Sequence, residues 1–194
     1  MTTELEILKE AYLTPGIHVR QLSRKLKIGM PSVKYGINKL TGKKLLITVK
    51  EGRNLKFYLN YKTPLIIPLL HEAEQARFLK LPKQAQSAVF DFLKALNEKP
   101  VISVIFGSYA SGEHTKQSDI DILLVFAELK EDIEAKAGIV SGRYNIRLEP
   151  VYLKWDEFHR KFFDERDSFI KQIKKNKILV TGIEWWVMLE NERA

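Results

Sequence analysis

The sequence predicts an α+β protein of two parts, a unit of three helices and a β-hairpin followed by an α/β domain with a small mixed sheet. Three observations carry this. The apolar period is helical up to Leu40 and alternates from Leu45, and from Val101 short strands and helices take turns. Charge divides along the same line: residues 1–62 hold 13 Lys+Arg and 4 Asp+Glu, whereas the remainder holds 19 basic and 20 acidic residues. The net charge of +8 is therefore an N-terminal property, and a chain of 194 residues has room for two small domains.

The first helix is predicted over Glu4 to Leu13, with Leu5, Leu8 and Tyr12 on one face and Thr14-Pro15-Gly16 as its stop. A second runs from His18 to Leu26 with Val19, Leu22 and Leu26 inward. A third follows Lys27-Ile28-Gly29, with Pro31 and Ser32 near its start and Val33, Ile37 and Leu40 at helical intervals. Strands at 45–50 and 55–59, joined by Glu51-Gly52-Arg53-Asn54, complete a hairpin. Three helices and a basic hairpin describe a winged helix, in which the third helix enters the major groove of DNA. With Val33, Ile37 and Leu40 inward, Ser32, Lys34, Tyr35, Asn38 and Lys39 face outward, and Arg53 sits at the hairpin tip. These six are the candidate DNA-binding residues, and the local basic excess suits a phosphate backbone. A protein-interaction winged helix with ordinary solvated residues is the alternative.

A helical connector is expected at 63–84. Pro64 and Pro68 are read as interrupting an apolar stretch, and helices are read at 72–81 and 84–96, separated by Pro82. The run Leu65 to Leu70 is hard to bury within one chain, which points to a homodimer. The α/β domain, placed at 85–194, reads as strand 101–106, short helix within 107–117, strand 119–126, helix 130–138, strand 145–153, helices 155–163 and 166–175, strand 177–181 and a tail. Trp155, Trp185, Trp186, Phe158, Phe162 and Phe163 are read as packing residues.

Chemistry concentrates between Val104 and Val125. A buried strand ends in Gly107-Ser108, turns into a helix start, and returns as a strand opening with Ser118-Asp119-Ile120-Asp121. Gly107 allows backbone to approach a ligand, and amides near Ser108 can cradle phosphates. Because strand side chains alternate, Asp119 and Asp121 share a face, roughly 7 Å apart at the backbone. Two anions so placed repel unless a cation lies between them, and Mg²⁺, which accepts carboxylate oxygens, water and phosphates, is the natural candidate. Glu149, on a later strand, is the best-placed third acid, as general base or second metal ligand. Solvated carboxylates at a strand edge would explain either aspartate singly, but not the pair with its Gly-Ser turn and the later glutamate.

At these residues the sequence resembles the DNA polymerase β-type nucleotidyltransferase superfamily, and within it the minimal nucleotidyltransferases of prokaryotes. Their signature is Gly-Ser, a spacer, Asp-x-Asp and a later carboxylate, matched by Gly107-Ser108, Asp119-x-Asp121 and Glu149. The resemblance spans about residues 85–185. It implies transfer of a nucleoside monophosphate from ATP or another NTP to a hydroxyl, with Mg²⁺ held by Asp119, Asp121 and Glu149, and nucleotide contacts from Gly107, Ser108, Lys116 and Ser118. In many relatives the acceptor is a partner protein, such as a toxin silenced by nucleotide addition. Many relatives also carry arginine where Ser111 stands, so a phosphate-binding cation must come from elsewhere, with Lys116 or His114 as candidates.

Cysteine is absent, which excludes disulfides, thiolate metal sites and thiol nucleophiles. The four histidines lack metal-ligand spacing and are read as solvated or locally bonded. No apolar run spans a bilayer and the charged start is not a signal peptide, so a cytoplasmic location is expected. Two other readings stand beside the enzyme: a DNA-binding regulator whose transferase-like domain senses nucleotide without turnover, and a protein-interaction module.

Overall fold

A computed structural model describes residues 3–128 and 132–193. The chain divides into two compact units, one ending at Ala73 and the other running from Glu74 to Arg193.

The first unit contains α1 (Thr3–Leu13), α2 (Val19–Leu26), α3 (Met30–Gly42), β1 (Leu46–Glu51) and β2 (Asn54–Leu59). Ile7, Leu8, Leu22, Val33, Ile37, Leu40 and Phe57 are buried, so the inward positions that helical spacing selects on α3 are those the fold uses. Gly36 lets α1 and α3 approach, since a Cβ there would lie 2.5 Å from Ile7 Cδ1. His18 is not the first helical residue but the cap of α2: its Nδ1 accepts from the Gln21 amide at 3.3 Å, and Gln21 Oε1 accepts from the His18 amide at 3.2 Å. The chain between α1 and α2 also pairs with the hairpin, the Phe57 amide donating to the Ile17 carbonyl at 3.0 Å.

The connector departs from expectation. Helix α4 runs over Ile66–Phe78, straight through Pro68. Pro68 is its third residue, where an amide would have no intrahelical acceptor, so the missing N–H costs nothing. Ile66 and Leu70, one turn apart, are buried, whereas Leu65 of the same apolar run is 63 % exposed, so the single chain covers only part of that run. The division between units falls inside α4.

The second unit holds the end of α4, then α5 (Lys83–Ala95), β3 (Ile102–Ile105), α6 (Gly107–Ser111), β4 (Ile120–Phe126), α7 (Ile133–Tyr144), β5 (Leu148–Lys154), α8 (Trp155–Phe163), α9 (Ser168–Lys175), β6 (Ile178–Thr181) and α10 (Ile183–Arg193). The sheet is mixed, in the order β5-β4-β3-β6, with β4 parallel to β5 and β3 antiparallel to both its neighbours. Ile120, Ile122, Leu124 and Phe126 pack with Ala85, Val89 and Phe92 of α5 in one core. Leu123 and Val125 are buried by alternation on the opposite face.

Three predicted elements need correction. Residue 130, where a helix was expected to start, lies outside the described residues, and α7 continues to Tyr144 rather than ending near 138; its cap, Asn145, is left-handed at φ 48°. The following strand consequently begins at Leu148 instead of 145. The expected tail is helix α10, whose buried Ile183, Trp186 and Val187 recur at helical spacing. Phe158, Phe162 and Trp186 are indeed packing residues, all at most 2 % exposed, whereas Trp185 is 43 % exposed and edges against Trp155.

Candidate active site

The acids stand where β4 begins. Asp119 precedes the strand, Asp121 is its second residue, and the two share the face occupied further along by Leu123 and Val125. In the parallel ladder Asp121 is directly abreast of Glu149, which puts three carboxylates on one face of two adjacent strands. Burial holds the Asp121 carboxyl above the usual carboxylate range, and the negative charges of Asp119 and Glu149 push it further the same way.

Gly107 closes the site from the neighbouring strand. The Phe106 amide donates to the Asp121 carbonyl at 3.0 Å, so β3 delivers the turn directly beside the acid. Gly107 adopts φ +63°, and a Cβ on it would stand 2.1 Å from Asp121 Oδ2. Only glycine satisfies both the left-handed backbone and the approach. Gly107→Ala is therefore expected to displace the Asp121 carboxylate and to lower transfer activity about a hundredfold or more, since misplacement of a reacting group by 1 Å can cost that much. Activity within threefold of the parent would contradict this packing.

The loop beyond α6 is self-braced. The Ser108 carbonyl accepts from the Gly112 and Glu113 amides and from Ser111 Oγ. Ser118, expected to touch nucleotide, has its Oγ accepting from the Thr115 amide at 2.9 Å, so its hydroxyl serves the turn. Lys116 is exposed in that turn. His114 stacks on Tyr109 with ring centroids 4.3 Å apart, and its Nδ1 is buried with no hydrogen-bond partner. Burial, with the nearby Asp119 charge, raises the Tyr109 hydroxyl above its ordinary range.

Three contributors were missed from sequence. Glu74, fully buried, accepts from the Leu179 amide at 3.1 Å and pairs with Arg77 at 3.3 Å. Arg77 in turn donates to the Lys177 carbonyl and, at 3.4 Å, to the Ala110 carbonyl of α6. This pair ties the end of α4 to the Gly-Ser turn's helix, yet in sequence it reads as an ordinary i,i+3 surface pair. The third is Arg147, which is ion-paired to Glu149.

That pairing modifies the expected ligand set. Hard carboxylate oxygens at alternate positions of β4, with a third in register on β5, suit a divalent cation. As the side chains stand, among the described residues no three His, Asp or Glu groups meet closely enough to hold one, and Glu149 is directed to Arg147.

In the N-terminal unit, Ser32, Lys34, Tyr35, Asn38 and Lys39 are all exposed on α3, and Arg53 is exposed at the hairpin turn. Lys39 is not free, however: its Nζ holds Glu4 Oε1 at 2.7 Å. Such an exposed pair is weak, and a phosphate can compete for it.

Residues 87–191, more than half of the chain, match the family model described as Nucleotidyltransferase domain. The chain belongs to the nucleotidyltransferase domain family. A protein of Methanocaldococcus jannaschii provisionally named protein adenylyltransferase is 30 % identical over 84 residues, covering 41 % of this chain and 84 % of that protein. A second, of the same provisional name and organism, is 38 % identical over 56 residues, covering 27 % of this chain and 45 % of its own length. A solved toxin-antitoxin structure with AMP-PNP superposes at a TM-score of 0.43 with 18 % identity, covering 58 % of this chain and 83 % of that one; at that level it carries no argument. The nucleotidyltransferase is thus an enzyme whose reaction class is nucleotidyl transfer. Among the described residues no helix is long and apolar enough to cross a membrane.

Proposed function

We propose that this nucleotidyltransferase moves AMP from ATP onto a hydroxyl of a protein acceptor, using Mg²⁺, and that its N-terminal unit is a winged helix that binds DNA. The observation that carries the enzymatic part is the face shared by Asp119, Asp121 and Glu149, with Gly107 against Asp121. The name of the relative matched over 84 % of its length supports a protein acceptor and an adenylyl donor.

Asp119 and Asp121 would hold the metal, which supplies charge neutralisation at the phosphates and a polarised phosphorus. Glu149 would join them or accept the proton of the attacking hydroxyl. The Gly107 and Ser108 amides offer phosphate oxygens a dipole at close range; α6, at five residues, is too short to add much macrodipole. Lys116, exposed in the 115–118 turn, is left to meet the outer phosphates. The acceptor oxygen attacks the α-phosphorus and pyrophosphate departs. In this reading residues 1–62 bind DNA, 63–84 connect and 85–194 catalyse, in a cytoplasmic protein.

The enzymatic test is incubation with α-labelled ATP, Mg²⁺ and a cell extract. A labelled protein that disappears with Asp119→Asn is expected; equal labelling by that variant would defeat the reading. DNA binding is carried by the outward set on α3 and Arg53. Converting Lys34, Lys39 and Arg53 together to alanine is expected to weaken duplex binding and to flatten the slope of log affinity against log salt by about 2 to 3, near one per lost phosphate contact. An unchanged slope in a fluorescence-anisotropy titration would remove the DNA claim.

The regulator that senses nucleotide without turnover is the second reading. An intact Asp119, Asp121 and Glu149 disfavour it, because sensing alone requires no such set.

A further inference from the structure

The register that places Asp121 abreast of Glu149 and Ile120 abreast of Leu148 brings Arg147 level with Asp119. The ladder reaches that row, since the Ile120 amide donates to the Arg147 carbonyl at 2.8 Å. Four residues therefore alternate in two rows on one face: Asp119, just before β4, and Asp121 within it, Arg147, just before β5, and Glu149 within it. Three are anions and Arg147 is the cation among them. Its guanidinium holds Glu149 Oε1, while 69 % of its side chain faces solvent, against 40 % for Glu149. The ion pair is thus formed at an accessible edge, with room for either partner to turn elsewhere.

Two features make this pair more than surface decoration. Glu149 stands abreast of Asp121 in the parallel ladder, on the face the aspartates share, so a side chain released from Arg147 has them as neighbours. At the end of α6, Ser111 is taken up by Glu113 and the Ser108 carbonyl, whereas the exposed Arg147 guanidinium is a cation already set beside the carboxylates. A divalent cation and a guanidinium compete for the same carboxylate oxygens and repel each other. A nucleoside triphosphate brings oxygens that match the guanidinium fork as well as a carboxylate does.

We infer that Arg147 exchanges partners during substrate binding: it holds Glu149 away from the Asp119–Asp121 pair until a nucleoside triphosphate arrives, then passes to the phosphates and leaves Glu149 to the metal. Arg147 is a nucleotide-binding residue and, before that, a restraint that keeps the metal site incomplete. This rests on the proposed metal-dependent transfer at the same site.

The test uses the full chain, Mn²⁺ followed by its free-ion electron paramagnetic resonance signal, and α,β-methylene-ATP as a nucleotide that cannot transfer. Without nucleotide, Arg147→Gln is expected to bind Mn²⁺ several-fold more tightly than the parent. With Mn²⁺ saturating, it is expected to bind the analogue about tenfold more weakly, as loss of a charge-assisted contact requires. Arg147→Lys, which keeps the charge without the fork, is expected to lie between. A Mn²⁺ affinity unchanged or weakened in Arg147→Gln overturns the inference, as does an unchanged analogue affinity, while leaving the site itself standing. A parent protein that binds neither probe, or binds both equally well after Asp121→Asn, overturns the site and this inference together.

Discussion

Asp121→Asn is expected to lower the rate of nucleotidyl transfer by about three decades while leaving the metal-free protein at least as stable as the parent. The rate effect follows from position. Asp121 is the acid nearest the Gly107 turn and lies in register with Glu149. An amide is a poor ligand for a hard divalent cation, and several kcal/mol of transition-state charge stabilisation depend on that ligand, each 1.36 kcal/mol being about tenfold in rate. The stability effect follows from the cause of the same group's perturbation. Burial and two neighbouring carboxylates oppose its charged form and outweigh a hydrogen bond from its own backbone amide, so a neutral isostere, which can still accept that bond, relieves net repulsion. A single-turnover assay and a thermal melt in chelator read the two halves. A rate within tenfold of the parent, or a melting temperature clearly below it, would contradict the assignment.

Glu74→Ala is expected to cost about 3 to 5 kcal/mol of stability in the second unit, the usual penalty for removing one member of a buried ion pair. Glu74 is fully buried, its Oε2 accepts from the Leu179 amide, and Arg77 is paired to it. Without it, the amide at the head of β6 loses its acceptor and the Arg77 guanidinium, whose side chain is only 17 % exposed, loses its counter-charge. Lys177, itself buried and held below the ordinary lysine range by that burial, loses a nearby negative charge as well. Glu74→Gln keeps an acceptor for the amide and should lose less. Urea unfolding distinguishes them; a change below about 1 kcal/mol for the alanine variant would show the pair to be energetically idle.

Much of the architecture was legible because period and breakers agree over most of the chain. The inward row of α3, the 155–163 helix and the strand carrying Asp119 and Asp121 all follow from spacing alone. Where local signals failed, the cause is tertiary. Pro68 reads as a breaker unless one knows that it falls in a first turn. The start of β5 depended on where α7 stopped, and that was set by Asn145 in a left-handed cap, a conformation no composition rule demands. At the site, the two aspartates and Gly107 were readable because their chemistry is local in sequence. Glu74 and Arg77 were not, because their partners lie in β6 and α6, as many as 105 residues away along the chain. Arg147 was unreadable for another reason: its importance comes from the strand register, which puts it level with Asp119 only once β4 and β5 are known to run parallel.

The choice of phosphorus separates nucleotidyl transfer from every other use of ATP. Parallel reactions with ATP labelled at the α- or at the γ-phosphate, in Mg²⁺, should leave the α-label covalently on an acceptor and release the γ-label as pyrophosphate, in amounts that match and that vanish with Asp121→Asn. Covalent capture of the γ-label, or release of orthophosphate without a labelled acceptor, would show that the carboxylates of β4 and β5 do not carry out this reaction.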